Sequence, residues 1–165
     1  MLRVRDLAAR IGKRPILHGI SLDCPPGQVL AIVGPNGSGK TTLLRAMTGD
    51  LPYTGSARLN GAEVAGTSAR ALAMHRAVLA QSTQVLFPFT VLEIVRLGLT
   101  AGGADSRALA ALDRVGLAGF AGRNVQDLSG GEQARVHLAR VLVQVWEPVT
   151  ASGPRWLFLD EPVAA

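Results

Sequence analysis

Apolar and polar residues alternate from Leu2 to Asp23, with Gly12 and Gly19 as breaks. This period of two predicts short antiparallel strands with one covered face. Pro25-Pro26-Gly27 marks a turn. The next five residues, Val29-Leu30-Ala31-Ile32-Val33, are apolar without interruption, the pattern of a parallel strand buried on both faces. Gly34 to Gly39 must then be a loop. From Lys40 to Thr48 the period lengthens, placing Leu43, Leu44 and Met47 on one face of a helix that Gly49 ends. Asn60-Gly61, between Ala57-Arg58-Leu59 and Glu63-Val64, is a two-residue hairpin signal that extends the antiparallel layer. Ala69 to Arg76 reads as a helix, and Ala77-Val78-Leu79-Ala80 as a second buried strand ending at Gln81. Between Thr90 and Val145 the period is helical, over Val91 to Leu97, Ser106 to Val115 and Gly131 to Val145. Gly102-Gly103 and the glycines from Gly116 to Gly122 separate these helices. Glu147 to Pro154 reads as a flexible loop before a last apolar strand at Trp156-Leu157-Phe158-Leu159.

At 165 residues and 48% hydrophobic composition the chain can bury the core of one domain. Its apolar runs are broken by Arg, Gln or Gly before the roughly 18 residues of a membrane span, and Met1 to Asp6 lacks the apolar run of a signal peptide. A cytoplasmic protein is expected. The single cysteine, Cys24, excludes an internal disulfide, and Cys24-Pro25 reads as a strand end before a turn. Net charge +5 comes from arginines spaced singly along the chain, with lysine only at Lys13 and Lys40. That pattern argues against a dedicated nucleic-acid surface and leaves a mild attraction to anionic phosphate or lipid.

Three strings carry chemistry. Gly34-Pro35-Asn36-Gly37-Ser38-Gly39-Lys40-Thr41 fits G-x-x-x-x-G-K-[ST] and stands between a predicted strand and a predicted helix. Its glycines let backbone N–H groups converge on phosphate oxygens, the helix start adds partial positive charge, Lys40 reaches the terminal phosphates and Thr41 is placed to ligate Mg²⁺. Asp160-Glu161 follows an apolar strand, and ligands of open α/β sheets gather at such carboxyl ends. Asp160 suits a cation, and Glu161 suits the orientation of an attacking water. Ser129-Gly130-Gly131-Glu132 is a capping box opening a long amphipathic helix. Two glycines in its first turn cost about 1 kcal/mol each in helix propensity, and an anion at the exposed N–H groups is the obvious compensation. A second phosphate-binding helix start, with one phosphate loop, points to a site built from two copies of the chain.

Together these strings resemble the ATP-binding subunits of ABC transporters, whose Walker A, signature and Walker B motifs match Gly34 to Thr41, Leu128 to Gln133 and Trp156 to Glu161. The resemblance covers nearly the whole chain. It implies an α/β fold, a P-loop NTPase of the ABC ATPase type with an antiparallel β layer and a helical signature subdomain. One domain would occupy 1–165, incomplete at its C-terminus, with the nucleotide-binding core in 1–89 and 146–165 and the helical subdomain in 90–145. It implies ATP and Mg²⁺ as cofactors. The phosphates would lie on Gly34, Pro35, Asn36, Gly37, Ser38, Gly39, Lys40, Thr41 and Thr42, and on Ser129, Gly130 and Gly131 of a second copy. Mg²⁺ would be held by Thr41, Gln81 and Asp160, and Glu161 with Gln81 would serve catalysis. Gln81 falls where the family carries its Q-loop glutamine, beside the membrane partner.

Within the family, Ala77 to Gln81, Phe87 to Val91, Gln133 to Leu142 and Arg155 to Asp160 are most similar to the haemin-import ATPases, and are partly shared with ferric-siderophore and cobalamin importers. That implies a homodimer on two transmembrane permease subunits, fed indirectly by a haemin-binding protein, peripheral on the cytoplasmic face of the inner membrane, with no nucleic-acid partner. Phe87-Pro88-Phe89-Thr90 is either the surface that receives the permease or a rigid anchor in the core.

Two departures from the family stand out. Where most members stack adenine on an aromatic, this chain has Arg10-Ile11-Gly12, so weak base recognition is expected. Family members also continue past Glu161 into a D-loop and a switch histidine, whereas Pro162-Val163-Ala164-Ala165 close this sequence and His18, His75 and His137 do not match the switch. An exposed strand edge, marginal stability and slow or absent hydrolysis are expected from that. The chain is thus read as an importer's energy-coupling subunit or as a non-catalytic fragment of one. A soluble ABC ATPase working on DNA or the ribosome is disfavoured, since the chain has neither a coiled-coil insertion nor a tandem cassette.

Overall fold

A computed structural model describes residues 1–81, 87–99 and 103–161. Gly102 and Pro162 to Ala165, which entered the reading above, lie outside the described residues. The chain divides into two compact units: Met1–His75 with Val149–Pro154, and Arg76–Pro148 with Arg155–Ala165. The strands leading to Gln81 and to Asp160-Glu161 therefore group with the helices.

In the first unit, β1 (Leu2–Ile11), β2 (Arg14–Cys24), β3 (Thr54–Leu59) and β4 (Ala62–Glu63) form an antiparallel sheet in the order β2-β1-β3-β4. Leu2, Val4, Leu7 and Ala9 of β1 are buried, and Arg3 and Arg5 are exposed. Val4 and Leu7 are an odd number of residues apart, so strict alternation would turn them to opposite faces. The register solves this by shifting, from Val4 opposite Leu22 to Leu7 opposite Ile20, and Asp6, at φ 46°, donates its N–H to Ser21 Oγ at 2.9 Å. Gly19, expected to break the strand, instead supplies a second bulge inside β2 at φ 81°, between the Leu7–Ile20 and Ala8–His18 pairs. Helix α1 (Lys40–Thr48) lies against β1, β2 and β3 with Leu43, Leu44, Ala46 and Met47 buried. Gly49, as expected, caps its C-terminus in the left-handed conformation.

Glu63 is the polar centre of this unit. It accepts hydrogen bonds from Ser56 Oγ at 2.6 Å, Ala57 N–H at 2.8 Å and Tyr53 Oη at 3.0 Å, and it pairs with Arg58. Burial alone would raise its pKa, but these donors outweigh burial and hold it below the ordinary carboxylate range. Burial and the bond to Glu63 push the Tyr53 phenol up to about 12.

Three sequence expectations fail here. Val29 to Val33 is not a strand: no described residue pairs with it, and Val29 and Val33 are 98% and 88% exposed. A continuous apolar run shows that a segment suits cover on both faces, but the hydrogen-bond ladder must come from a neighbour, and no described strand supplies one. The helix from Ala69 stops at Ala73 (α2, Ala69–Ala73), because Arg76 already pairs in the next strand. The stretch from Glu147 to Pro154 is not all loop but carries a short hairpin, β6 (Val149–Thr150) with β7 (Gly153–Pro154), whose Pro154 carbonyl accepts from Asn60 Nδ2 at 2.7 Å.

In the second unit, β5 (Arg76–Leu79) and β8 (Trp156–Leu159) run parallel, level from Arg76–Trp156 to Leu79–Leu159. Helices α3 (Val91–Arg96), α4 (Asp105–Arg114) and α5 (Gly130–Gln144) close a core of Val91, Ile94, Val95, Ala111, Leu112 and Leu117. Helix α5 is apolar on two sides. Val136, Ala139 and Val143 enter the helical core, while Val141 meets Ala77 and Leu79 of β5 with Leu138 and Val145 beside them. At its end, Gln144 Nε2 donates to the Arg76 carbonyl at 2.9 Å, and the Arg155 guanidinium donates to the Gln144 carbonyl at 3.0 Å. A cation at the negative end of a helix is favourable.

Candidate functional site

The phosphate loop belongs to the first unit. Gly39 is the N-cap of α1 at φ 94°, a left-handed backbone that favours glycine. A Cβ there would stand 3.1 Å from side-chain atoms of both Ile16 and Leu17, so the loop is seated tightly on the edge strand β2. No side chain caps α1 and no acid lies in its first turn. The helix start therefore carries the positive end of the helix dipole with no capping side chain and no first-turn acid set against it. Lys40 Nζ donates to the carbonyls of Gly34 and Pro35, at 3.0 Å each, so its ammonium lies over the loop. Pro35, Asn36, Gly37 and Ser38 form the exposed turn, tied by Ser38 N–H to Pro35 O at 3.3 Å; Thr41 and Thr42 follow in the first turn of α1. Ile11, at the hairpin end, is 55% exposed and lies opposite Arg14.

The other candidates belong to the second unit. Ser129 caps α5 as the sequence predicts: its N–H and Oγ donate to Glu132 Oε2 at 2.8 and 2.6 Å, and Glu132 N–H donates back to Ser129 Oγ at 3.4 Å. These bonds from Ser129 hold the Glu132 carboxyl below its usual range. Gly130 and Gly131 have no positive φ, and a Cβ on either would meet nothing within 4 Å. Neither conformation nor crowding within the unit requires these glycines.

One residue beyond the last pair of β5 and β8, Asp160 N–H donates to the Leu79 carbonyl at 2.9 Å and the Asp160 side chain turns inward, 7% exposed. Glu161 leaves the strand at φ 47°, and its Oε2 accepts from Gln81 Nε2 at 2.5 Å. The parallel register thus brings together Gln81 and Glu161, which the sequence separates by 80 positions. In this unit Asp160 and Gln81 offer a carboxylate and an amide carbonyl, hard oxygen donors of the kind Mg²⁺ accepts, and in the first unit Thr41 offers a hydroxyl of the same kind. Among the described residues no group of three or more His, Cys, Asp or Glu is placed to hold a metal ion.

Sequence reasoning missed two features. Thr90 and Glu93 form a second capping box on α3, with Thr90 N–H to Glu93 Oε2 at 2.7 Å, although T-x-x-E was there to be read. The Gln81–Glu161 bond had no local signal. Phe87 and Phe89 are 68% and 42% exposed and meet edge to face, so the segment before α3 presents its rings at the surface.

Residues 17–164 match the ABC transporter family. The hemin import ATP-binding protein HmuV of Jannaschia sp. (strain CCS1) is 60% identical, in a match covering 100% of this chain and 62% of that protein. HmuV of Roseobacter denitrificans (strain ATCC 33942 / OCh 114) is 57% identical, covering 99% and 64%. Of solved structures, MJ1267, an ATP-binding cassette of an ABC transporter, superposes with a TM-score of 0.83 at 26% identity over 100% of this chain and 70% of that one. A bacterial Atm1-family ABC exporter with ATP bound gives 0.83 at 28% identity, over 99% and 29%. The chain therefore spans a little under two thirds of the length of these curated relatives. The fold is that of an ABC ATPase cassette, and the chain belongs to the ABC transporter family.

Proposed function

We propose that this chain binds ATP and Mg²⁺ as part of the energy-coupling subunit of an ABC importer for haemin, and that two copies close on two nucleotides. The observation that carries the nucleotide reading is the uncapped start of α1 beneath the Lys40 ammonium. The substrate reading rests on likeness to proteins named for hemin import.

In this reading the N–H groups from Gly37 to Thr42 and the Lys40 ammonium bind and orient the phosphates, and Ser129, Gly130 and Gly131 of the second copy cover the terminal phosphate. When bound, Mg²⁺ supplies neutralisation of phosphate charge, with Thr41, Gln81 and Asp160 as its protein donors. Glu161 orients the attacking water and accepts its proton on the carboxylate. Ile11 and Arg14 offer an apolar patch and a cation where an aromatic would stack, so base selection is weak. The exposed Phe87-Pro88-Phe89 segment receives the permease. No helix among the described residues is long and apolar enough to cross a membrane, which fits a peripheral subunit held by such a partner.

The test is thermal unfolding with and without Mg-ATP, followed by turnover and co-purification with the permease. Ligand at about one hundred times its dissociation constant stabilises by about 2.7 kcal/mol. The expected result is a shift that Lys40→Ala cuts to about a third at the same ligand concentration; a transition indifferent to Mg-ATP overturns the reading.

A further inference from the structure

The asparagine–glycine pair occurs twice in the chain, at Asn36-Gly37 in the phosphate loop and at Asn60-Gly61 in the turn between β3 and β4. Asparagine before glycine is chemically labile, because with no side chain on the glycine its backbone nitrogen can reach the asparagine carboxamide carbon. Both glycines have positive φ, 80° and 88°, and a Cβ on either would meet nothing within 4 Å, so the attacking end is equally open in the two pairs. The asparagine side chains are held differently. Asn60 Nδ2 donates to the Pro154 carbonyl at 2.7 Å, the Met1 nitrogen donates to Asn60 Oδ1 at 3.4 Å, and a Cβ on Gly153 would lie 3.3 Å from Nδ2. Asn36 is exposed, and no hydrogen bond to a described residue holds its side chain.

We infer that Asn36-Gly37 is a self-modification site set in the phosphate loop, and that at Asn60-Gly61 the fold holds the same chemistry off. The Gly37 nitrogen, having given its proton to solvent base, bonds to Asn36 Cγ. The bond from Cγ to Nδ2 breaks, and ammonia leaves with a proton taken from water, which closes a cyclic imide. Water then adds to one imide carbonyl. Opening between Cγ and the Gly37 nitrogen gives aspartate, and opening between the Asn36 backbone carbon and that nitrogen gives isoaspartate. An amide and water have become a carboxylate and ammonium, with no oxidant or reductant. At Asn60 the carboxamide must first leave the Pro154 carbonyl and the Met1 nitrogen before it can turn to Gly61. In the phosphate loop either product sets a carboxylate beside a cradle whose own cation, Lys40 Nζ, lies 3.0 Å from the Gly34 and Pro35 carbonyls, and isoaspartate also lengthens the backbone by one methylene. The loop then repels phosphate. That consequence rests on the nucleotide reading above; the modification does not.

The test incubates the full chain at neutral and mildly alkaline pH, digests it with trypsin and follows the exchange of amide for acid by mass spectrometry, in the peptide that ends at Lys40 and in the peptide 59–70. In the folded chain Asn36 should react about tenfold faster than Asn60, the factor set by one hydrogen bond that must break first. In urea the two rates should converge. Gly153→Ala, which presses on Asn60 Nδ2 and strains a backbone at φ 112°, should raise the Asn60 rate and leave the Asn36 rate as it was. Saturating Mg-ATP should slow Asn36 alone. The acidic form, separated by ion exchange, should lose the thermal shift with Mg-ATP, as should Asn36→Asp. Equal rates at the two sites of the folded chain overturn the inference, and a difference that persists in urea overturns the part given to the fold. An Asn60 rate unmoved in Gly153→Ala overturns the hold by the β6–β7 hairpin; if both rates rise together the variant has unfolded, and the unmutated chain decides. An acidic form that keeps the full thermal shift overturns the consequence for phosphate. Should the unmutated chain show no shift with Mg-ATP, the nucleotide reading fails and that consequence with it, while the two rates still decide the modification.

Discussion

The starts of α1 and α5 are both glycine-rich turns, and they are built on opposite principles. Helix α1 has no side-chain cap and no acid in its first turn, and Gly39 is required there by a left-handed backbone and by Ile16 and Leu17 pressed against it. Helix α5 has a complete capping box, and its Gly130 and Gly131 answer to nothing inside their own unit. The first start is shaped by the neighbours the chain presses against it, with no capping side chain laid across the helix end. The second is already supplied with an internal anion, Glu132, and keeps its approach smooth. If the proposed function holds, a helix end that receives a ligand of its own subunit differs in this way from one approached from outside.

The comparison breaks most sharply at the glycines. Gly39→Ala should destabilise by about 1–3 kcal/mol through left-handed strain and contact with β2, read from urea unfolding. Lys40→Ala should leave stability nearly unchanged and weaken Mg-ATP by about 2 kcal/mol, roughly thirtyfold, in calorimetric titration. Ser129→Ala should cost about 1 kcal/mol of stability through the lost cap, without lowering the affinity of a single copy for Mg-ATP. Gly131→Ala should do the reverse of Gly39→Ala, stabilising α5 by up to about 1 kcal/mol while impairing nucleotide-driven pairing of two copies in sedimentation. If Gly131→Ala destabilises, the contrast between the two helix starts is wrong.

The smallest effect is that of pH. Ser129 holds the Glu132 carboxyl below its usual range, so the stability Glu132 contributes is present above the ordinary carboxylate value and is lost as pH falls through its lower folded value. Helix α1 has no acid in its first turn and contributes nothing comparable. Acid unfolding of Glu132→Gln should therefore lose part of the slope seen in the unmutated chain. Glu63, held low by its donors, and Asp23, held low by the Arg5 guanidinium, supply acid-sensitive stability in the first unit.

What could be read from sequence was what a short stretch settles alone. Gly39 and Gly49 bracket α1, and the period of Leu43, Leu44 and Met47 fills it, so its bounds are those expected. The Asn60-Gly61 hairpin and the Ser129 box are equally local. Val29 to Val33 misled because strand identity depends on a neighbour the run does not contain. Gly19 misled because a left-handed glycine ends one strand and bulges another, and only the offset of Leu7 from Val4 tells them apart. At the site, each member could be named from its motif. The bond from Gln81 to Glu161 could not, because it follows from the β5–β8 register.

The two apolar sides of α5 have a mechanical consequence. Its 15 residues make a rod about 22 Å long, gripped along its length by α3, α4 and β5. Its far end is fastened to Arg76 and Arg155, which stand at the roots of the strands ending at Gln81 and Glu161. A rod clamped on two sides does not bend readily. A load applied at Ser129 would be carried as axial thrust to the roots of that strand pair, at the ends opposite Gln81 and Glu161, so the helix and the strands would shift as one piece.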